Sequence, residues 1–174
     1  MGYLLFTPII TYNLLQSKHV SRDDFGVKHD FLIVGGGIAG LTAAIALQKE
    51  GFDVKVLERS GKIRNVGAGL GLGANAWRGL KLLGITKALG EKCEPLQKVK
   101  FLTPDGKAIS ILDLKGLNEK YGVAYFAVRR ADLHKCLVRQ LRPDTLHLGK
   151  KIVSFDQDET GVRIYTQEGE TFEG

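Results

Sequence analysis

An α/β fold, with a parallel βαβ unit leading and an antiparallel β-meander behind it, is predicted by three observations. A four-residue apolar run, Phe31-Leu32-Ile33-Val34, opens into Gly35-Gly36-Gly37-Ile38-Ala39-Gly40, and a segment of helical periodicity follows. A second apolar run, Val54 to Leu57, ends on an acidic residue, Glu58. Near the C-terminus, short alternating runs are separated by polar Gly-containing turns, the pattern of an antiparallel ribbon. Composition agrees: 174 residues, 44% hydrophobic and 25% charged, are enough to bury a core without disulfide staples.

Each leading element has its own reason. Phe31–Val34 lacks polar residues, as expected of a strand buried on both faces. Ile38, Leu41, Ala44, Ile45 and Gln48 fall on one helical face, and Gly51 supplies a C-terminal stop after Lys49-Glu50. The glycines between strand and helix fit GxGxxG. Gly35 permits a tight turn, Gly37 lets the backbone approach a pyrophosphate, and Gly40 allows the helix to pack closely on the sheet. At the helix start, Ile38 and Ala39 bring backbone N–H groups and the positive dipole end to a diphosphate. Glu58, 18 residues after Gly40, is placed to accept hydrogen bonds from both ribose hydroxyls. Its charge repels a 2′-phosphate, which disfavours NADP in this slot. The strand–turn–helix context and the distant acid make this a Rossmann-like dinucleotide site and more than a glycine-rich loop. Spacing alone leaves FAD and NAD both open.

The next segment bears on that choice. Gly67, Gly69, Gly71 and Gly73 alternate within Arg64–Gly73, a stretch whose backbone could lie against a large flat ring. Asn75 to Leu83 reads as a short amphipathic helix on Ala76, Leu80 and Leu83, stopped by Gly84. Val99–Leu102 and Ala108–Leu112 form a hairpin across Thr103-Pro104-Asp105-Gly106. Ala124–Val128 is a strand, and Arg130 opens a helix carrying Leu133, Cys136 or Leu137, and Leu141. A strand-to-helix junction presents a guanidinium well to phosphate, although an exposed Arg130 could instead pair with Asp132. Arg129 is the weaker choice. Trp77 reads as a packing residue. Four strands close the chain: Thr145–Leu148, Lys151–Asp156, Val162–Thr166 and Glu170–Phe172.

Here the sequence resembles the FAD-dependent aromatic hydroxylases, the class A flavoprotein monooxygenases of the para-hydroxybenzoate hydroxylase fold. It is most similar to their salicylate-hydroxylase and zeaxanthin-epoxidase-like branch. The resemblance rests on Phe31–Glu58, on Gly67-Ala68-Gly69-Leu70 with Asn75–Gly84, and on Val128-Arg129-Arg130-Ala131-Asp132-Leu133. It implies FAD as cofactor, with Gly35, Gly37, Ile38, Ala39 and Gly40 at the diphosphate and Glu58 at the adenosine ribose. Arg59 would flank that end, Gly69 and Leu70 would lie near the flavin, and Arg130 would reach the cofactor beside the diphosphate. NADH or NADPH would act as reductant, and one oxygen atom would pass through a flavin peroxide to an aromatic or isoprenoid-like small molecule. Since the flavin carries that chemistry, no catalytic residue is nominated. The resemblance further implies a truncated, partial FAD-binding domain over 27–174, lacking the later substrate-binding sheet and unable to hydroxylate alone. A non-catalytic FAD- or NAD-binding module, a degraded gene product and an NAD-dependent dehydrogenase fragment are the competing readings.

Other function classes find little support. The net charge of +6 comes without a basic run longer than two residues and without interleaved aromatics, so no nucleic-acid surface is expected. His19, His29, His134 and His147 form no metal-ligand pattern, and no metal site is expected. Cys93 and Cys136 read as structural thiols in a reducing, cytoplasmic compartment. Tyr3 to Leu15 is apolar but shorter than the roughly 20 residues of a membrane span, and it lacks signal-peptide features. Residues 1–26 therefore read as a disordered leader or an over-extended gene start, with Val27 a natural initiation point. A peripheral membrane anchor is the alternative. Oligomeric state is not legible.

Overall fold

The computed structural model describes residues 28–63, 67–122 and 124–174. The leader expected at 1–26 lies outside them, as do Arg64, Asn65 and Val66 of the glycine-rich stretch. First along the chain come β1 (Phe31–Val34), α1 (Ile38–Lys49) and β2 (Val54–Glu58). Next are β3 (Gly69–Leu72), α2 (Ala74–Leu82), α3 (Ile85–Leu89), a 3-10 turn at Gly90–Lys92, β4 (Cys93–Pro95), β5 (Lys98–Leu102), β6 (Ala108–Asp113) and α4 (Leu114–Tyr121). Then follow β7 (Phe126–Arg129), α5 (Arg130–Gln140), β8 (Leu146–Leu148), β9 (Ile152–Asp158), β10 (Gly161–Thr166) and β11 (Thr171–Glu173). They form two compact units, the described parts of Met1–Ile63 with Leu141–Gly174, and of Arg64–Gln140.

The first unit is the expected βαβ unit with its meander. β1, β2 and β8 make a parallel sheet in that order, with Ile33 opposite Val56 and Leu57 opposite His147. The right-handed βαβ crossover needs a helix to cover the sheet. α1 does so, packing on β1 and β2 with Leu41, Ala44 and Ile45 buried. Strand alternation sends Val54 and Val56 to one face and Leu57 to the other. On Leu57's side, Leu32 and Leu57 pack with Val162 and Ile164 of β10, flanked by Ile152 and Phe172. The antiparallel order β11-β10-β9 and the inward Val162, Ile164 and Thr166 are as the alternation predicts. One expectation changes: β1 is not buried throughout, because Val34 at its end is 56% exposed. The first of the four late strands, β8, pairs with β2 in the parallel sheet, apart from the meander.

The junction between α1 and β8 is polar. Gln48 is buried, and its Nε2 donates to Thr145 Oγ1 (2.7 Å), which donates to the Arg142 carbonyl (2.8 Å). The Arg142 amide returns a bond to Gln48 Oε1 (3.2 Å), and its guanidinium donates to the carbonyls of Gln48 and Phe52. Carbonyls at a helix end lack intrahelical donors, so Arg142 serves as a C-terminal cap.

The second unit contains the antiparallel sheet β3-β7-β4, the separate hairpin β5–β6, and helices α2 to α5. Its apolar interior includes Leu80, Ile85, Leu89, Val128, Leu133, Cys136 and Leu137. The expected hairpin forms, with Thr103 and Lys107 bonded across the turn (2.8 Å) and Gly106 at φ +86°. The glycine-rich segment becomes a strand, β3. α2 buries Leu80, but Ala76, expected on its apolar face, is exposed. Trp77 packs as a stack on Phe126 of β7 (centroids 3.8 Å, 25° between planes), against a strand and not another helix. Three elements carry no sequence expectation: α3, β4 and α4. Among the described residues, no helix is long and apolar enough to cross a membrane.

Candidate cofactor site

In the first unit, the structure brings the fingerprint and Glu58 together. β1 ends where Gly35 turns at φ +108°, its amide donating to the Leu57 carbonyl (2.8 Å). Gly37 is the N-cap of α1 and has no side chain to cap it, and the first turn carries no acidic residue. The first intrahelical bond runs from the Leu41 amide to the Gly37 carbonyl (2.9 Å). The amides of Ile38, Ala39 and Gly40 therefore have no acceptor within the helix. A Cβ on Gly37 would meet nothing within 4 Å, so no neighbour crowds the N-cap on that side. Gly40 is the opposite case: a Cβ there would lie 2.1 Å from the Gly35 carbonyl oxygen. Gly40 thus brings the helix start onto the turn, and Gly37 leaves room for a ligand to approach it.

Glu58 stands at the end of β2, half-buried. Its Oε2 accepts from the Gly36 amide (2.7 Å) and its Oε1 from the Ser60 amide (2.8 Å). Burial alone would raise its pKa. Amide donation from Ser60 and Gly36, with the Ser60 hydroxyl and the nearby Arg59 charge, outweighs that and holds the carboxyl below its usual value. Each carboxylate oxygen retains a lone pair, so an ionised, oriented Glu58 can still accept two ribose hydroxyls. Arg59 is exposed next to it. Gly36, the middle residue of the glycine run, was given no separate role by sequence reasoning. It is buried, and a Cβ there would lie 3.0 Å from Glu58 Cβ and 3.3 Å from Leu146 Cδ1. Adjacency to the fingerprint was the available signal.

In the second unit, the structure brings Gly69, Leu70 and Arg130 together. Gly69 pairs with Arg129 and Leu70 with Val128 across β3 and β7. Gly69 is exposed, and its missing Cβ would have only the Val128 carbonyl near it, at 3.9 Å. Arg130 opens α5, with its amide donating to the Ala68 carbonyl (3.2 Å). The alternative pairing with Asp132 does not form at Arg130. Arg129 takes Asp132 instead (Nε to Oδ2, 2.6 Å), which leaves the exposed Arg130 clear of that carboxylate. Cys93 and Cys136 are free thiols, and burial pushes both above the usual thiol pKa, which disfavours the nucleophilic thiolate.

Unpaired helix-start amides, an uncapped glycine and an oriented carboxylate form a donor set suited to an adenosine diphosphate. Residues 28–173 match a family model described as FAD binding domain. The 3-hydroxybenzoate 6-hydroxylase of Polaromonas naphthalenivorans is 33% identical over 148 residues, covering 82% of this chain and 37% of that protein. Aurachin C monooxygenase/isomerase of Stigmatella aurantiaca is 31% identical over 143 residues, with the same two coverages of 82% and 37%. Among solved structures, Klebsiella pneumoniae HpxO complexed with FAD and uric acid superimposes with a TM-score of 0.72 at 25% identity, over 82% of this chain and 36% of that one. The chain spans little more than a third of the length of these proteins.

Proposed function

This chain belongs to the FAD binding domain family of the class A FAD-dependent aromatic hydroxylases, and from that premise we propose that it holds FAD for an NAD(P)H-dependent monooxygenase. The supporting observation is the start of α1, where the uncapped Gly37 leaves three amides without helical acceptors and a Cβ on Gly37 would meet nothing within 4 Å. FAD, when bound and reduced, supplies the oxygen-activating chemistry. The chain's residues bind and orient it. The amides of Ile38, Ala39 and Gly40, with the helix dipole, receive the diphosphate, while Glu58 accepts the adenosine ribose hydroxyls and Arg59 lies beside that end. In the second unit, Gly69 offers a side-chain-free backbone for a flat ring, Leu70 an apolar neighbour, and Arg130 a cation for a phosphate oxygen.

The substrate we propose is an aromatic or isoprenoid-like small molecule, in line with the hydroxybenzoate hydroxylase among the relatives. By itself the chain is proposed to bind FAD without hydroxylating, because it spans little more than a third of the length of the monooxygenases it resembles. Free Cys93 and Cys136 suit a reducing, cytoplasmic compartment. Residues 1–26 are dispensable for binding in this reading.

The test is FAD titration of the purified chain, followed by flavin fluorescence, with Glu58→Ala and Arg130→Ala alongside. Saturable binding weakened roughly tenfold by each substitution is the expected result. A folded chain that does not bind FAD, or one that binds with both variants unchanged, would overturn the assignment.

A further inference from the structure

We propose that Gly67 is a positioning residue for Arg130: its side-chain-free Cα is the seat on which the Arg130 stem lies, and that seat aims the guanidinium at a phosphate of the bound dinucleotide. The proposal rests on Arg130 being a cofactor contact, as argued above.

Two features of Gly67 point the same way. Its φ of +131° lies where L side chains are rarely found, so the backbone conformation itself selects glycine. A Cβ there would also lie 3.0 Å from Arg130 Cδ, 3.3 Å from its Cβ and 3.6 Å from its Cγ. Three carbons of one side chain are involved, so the contact runs along the aliphatic stem. Any side chain at position 67 would have to push that stem aside.

The backbone that follows Gly67 holds Arg130 as well. The Ala68 carbonyl accepts the Arg130 amide (3.2 Å), and Gly69 pairs with Arg129 at the end of β7. Arg129 is taken up by Asp132. Gly67, Ala68 and Gly69 thus fix the position from which Arg130 projects, and Arg129 keeps the neighbouring carboxylate occupied. An exposed arginine otherwise samples many rotamers, and ordering it against a ligand costs side-chain entropy. A stem already laid against a flat glycine removes part of that cost.

The experiment uses the whole chain and its Gly67→Ala, Arg130→Ala and doubly substituted variants. FAD affinity is measured at several ionic strengths, and apo-protein melting reports folding separately. Arg130→Ala is expected to raise Kd roughly tenfold and to flatten the salt dependence, because one charge contact is gone. Gly67→Ala is expected to shift both in the same direction, with Kd rising about three- to tenfold. The double variant should match Arg130→Ala within about twofold, because a seat without its occupant has no further effect on binding. A change in β3 alone would leave the salt slope as it was.

If Gly67→Ala does not fold, Arg130→Lys replaces it: lysine keeps the aliphatic stem on the glycine and a charge at its end. Affinity should then stay within about threefold, and a loss as large as that of Arg130→Ala would overturn the seat. Unchanged affinity and slope in the Gly67 variant, or effects that multiply in the double variant, would overturn the seat while leaving Arg130 as a contact. An Arg130→Ala variant that binds FAD normally would overturn the contact and the seat together.

Discussion

Glu58 is where single-residue chemistry matters most. Both carboxylate oxygens are held by backbone amides, from Gly36 and Ser60. These bonds orient the carboxylate and keep it ionised, so the acceptor role proposed for it would not depend on pH near neutrality. The sign of its stability effect follows. Its folded pKa lies below the ordinary value of about 4.3, so the stabilisation is fully present above that value and fades as pH falls through the lower folded pKa. Glu58→Gln should therefore melt less steeply with acidification between about pH 5 and pH 3 than the parent chain. Melting temperatures measured across that range check this, and parallel curves would contradict it. Gly40 shows the complementary rule for a residue without a side chain. With the Gly35 carbonyl 2.1 Å from a would-be Cβ, even alanine requires the helix to move.

At the scale of elements, the βαβ unit is held by apolar packing on its faces and by polar bonds at its ends. Gln48 is buried and joins α1 to the chain before β8 through Thr145 and Arg142. Removing one partner of a buried polar set leaves the others unsatisfied, so Gln48→Ala should cost about 1–3 kcal/mol. Equilibrium denaturant unfolding measures it, and a cost below about 0.3 kcal/mol would contradict the account.

Much of this architecture is legible in sequence, for physical reasons. β1, α1 and β2 were readable because apolar runs, glycines and an acid each mark one element by local rules. The meander was readable because Val162, Ile164 and Thr166 alternate with Arg163 and Tyr165. β8 belongs to a different sheet from its neighbours because of pairing with Val56 to Glu58, a tertiary choice that three residues cannot encode. α4 left a signal that sequence reading did not use: Asp113 caps it by accepting from the Gly116 amide (3.1 Å), and Gly122 ends it at φ +65°. Gly116 and Asn118, poor helix formers, obscured it. β4 is three residues with a proline and offers no period at all.

For the candidate site, the fingerprint was legible because the turn itself demands glycine, as the positive φ of Gly35 and the close approach at Gly40 show. The partners of Arg129 and Arg130 were not, because residues adjacent in sequence project differently once β7 passes into α5. Gly36 and Gly67 depend on contacts with Glu58 and Arg130, far along the chain, which no local pattern contains.

At the scale of the whole molecule, a βαβ unit and a second unit with its own sheet each carry some of the residues proposed for the cofactor. Both sets lie within residues that match the FAD binding domain family. The central claim is that the start of α1 receives the FAD diphosphate, and Gly37→Asp tests it most directly. There is room for the side chain, Gly37 has ordinary N-cap geometry at φ −77°, and aspartate is among the best N-caps. The substitution should hold or raise apo-protein stability, by up to about 1 kcal/mol, while placing a negative charge where the diphosphate must sit. The expected result of titrating FAD into this variant is a stable fold whose affinity has fallen at least about a hundredfold. A stable Gly37→Asp chain that binds FAD as tightly as the parent would contradict the claim.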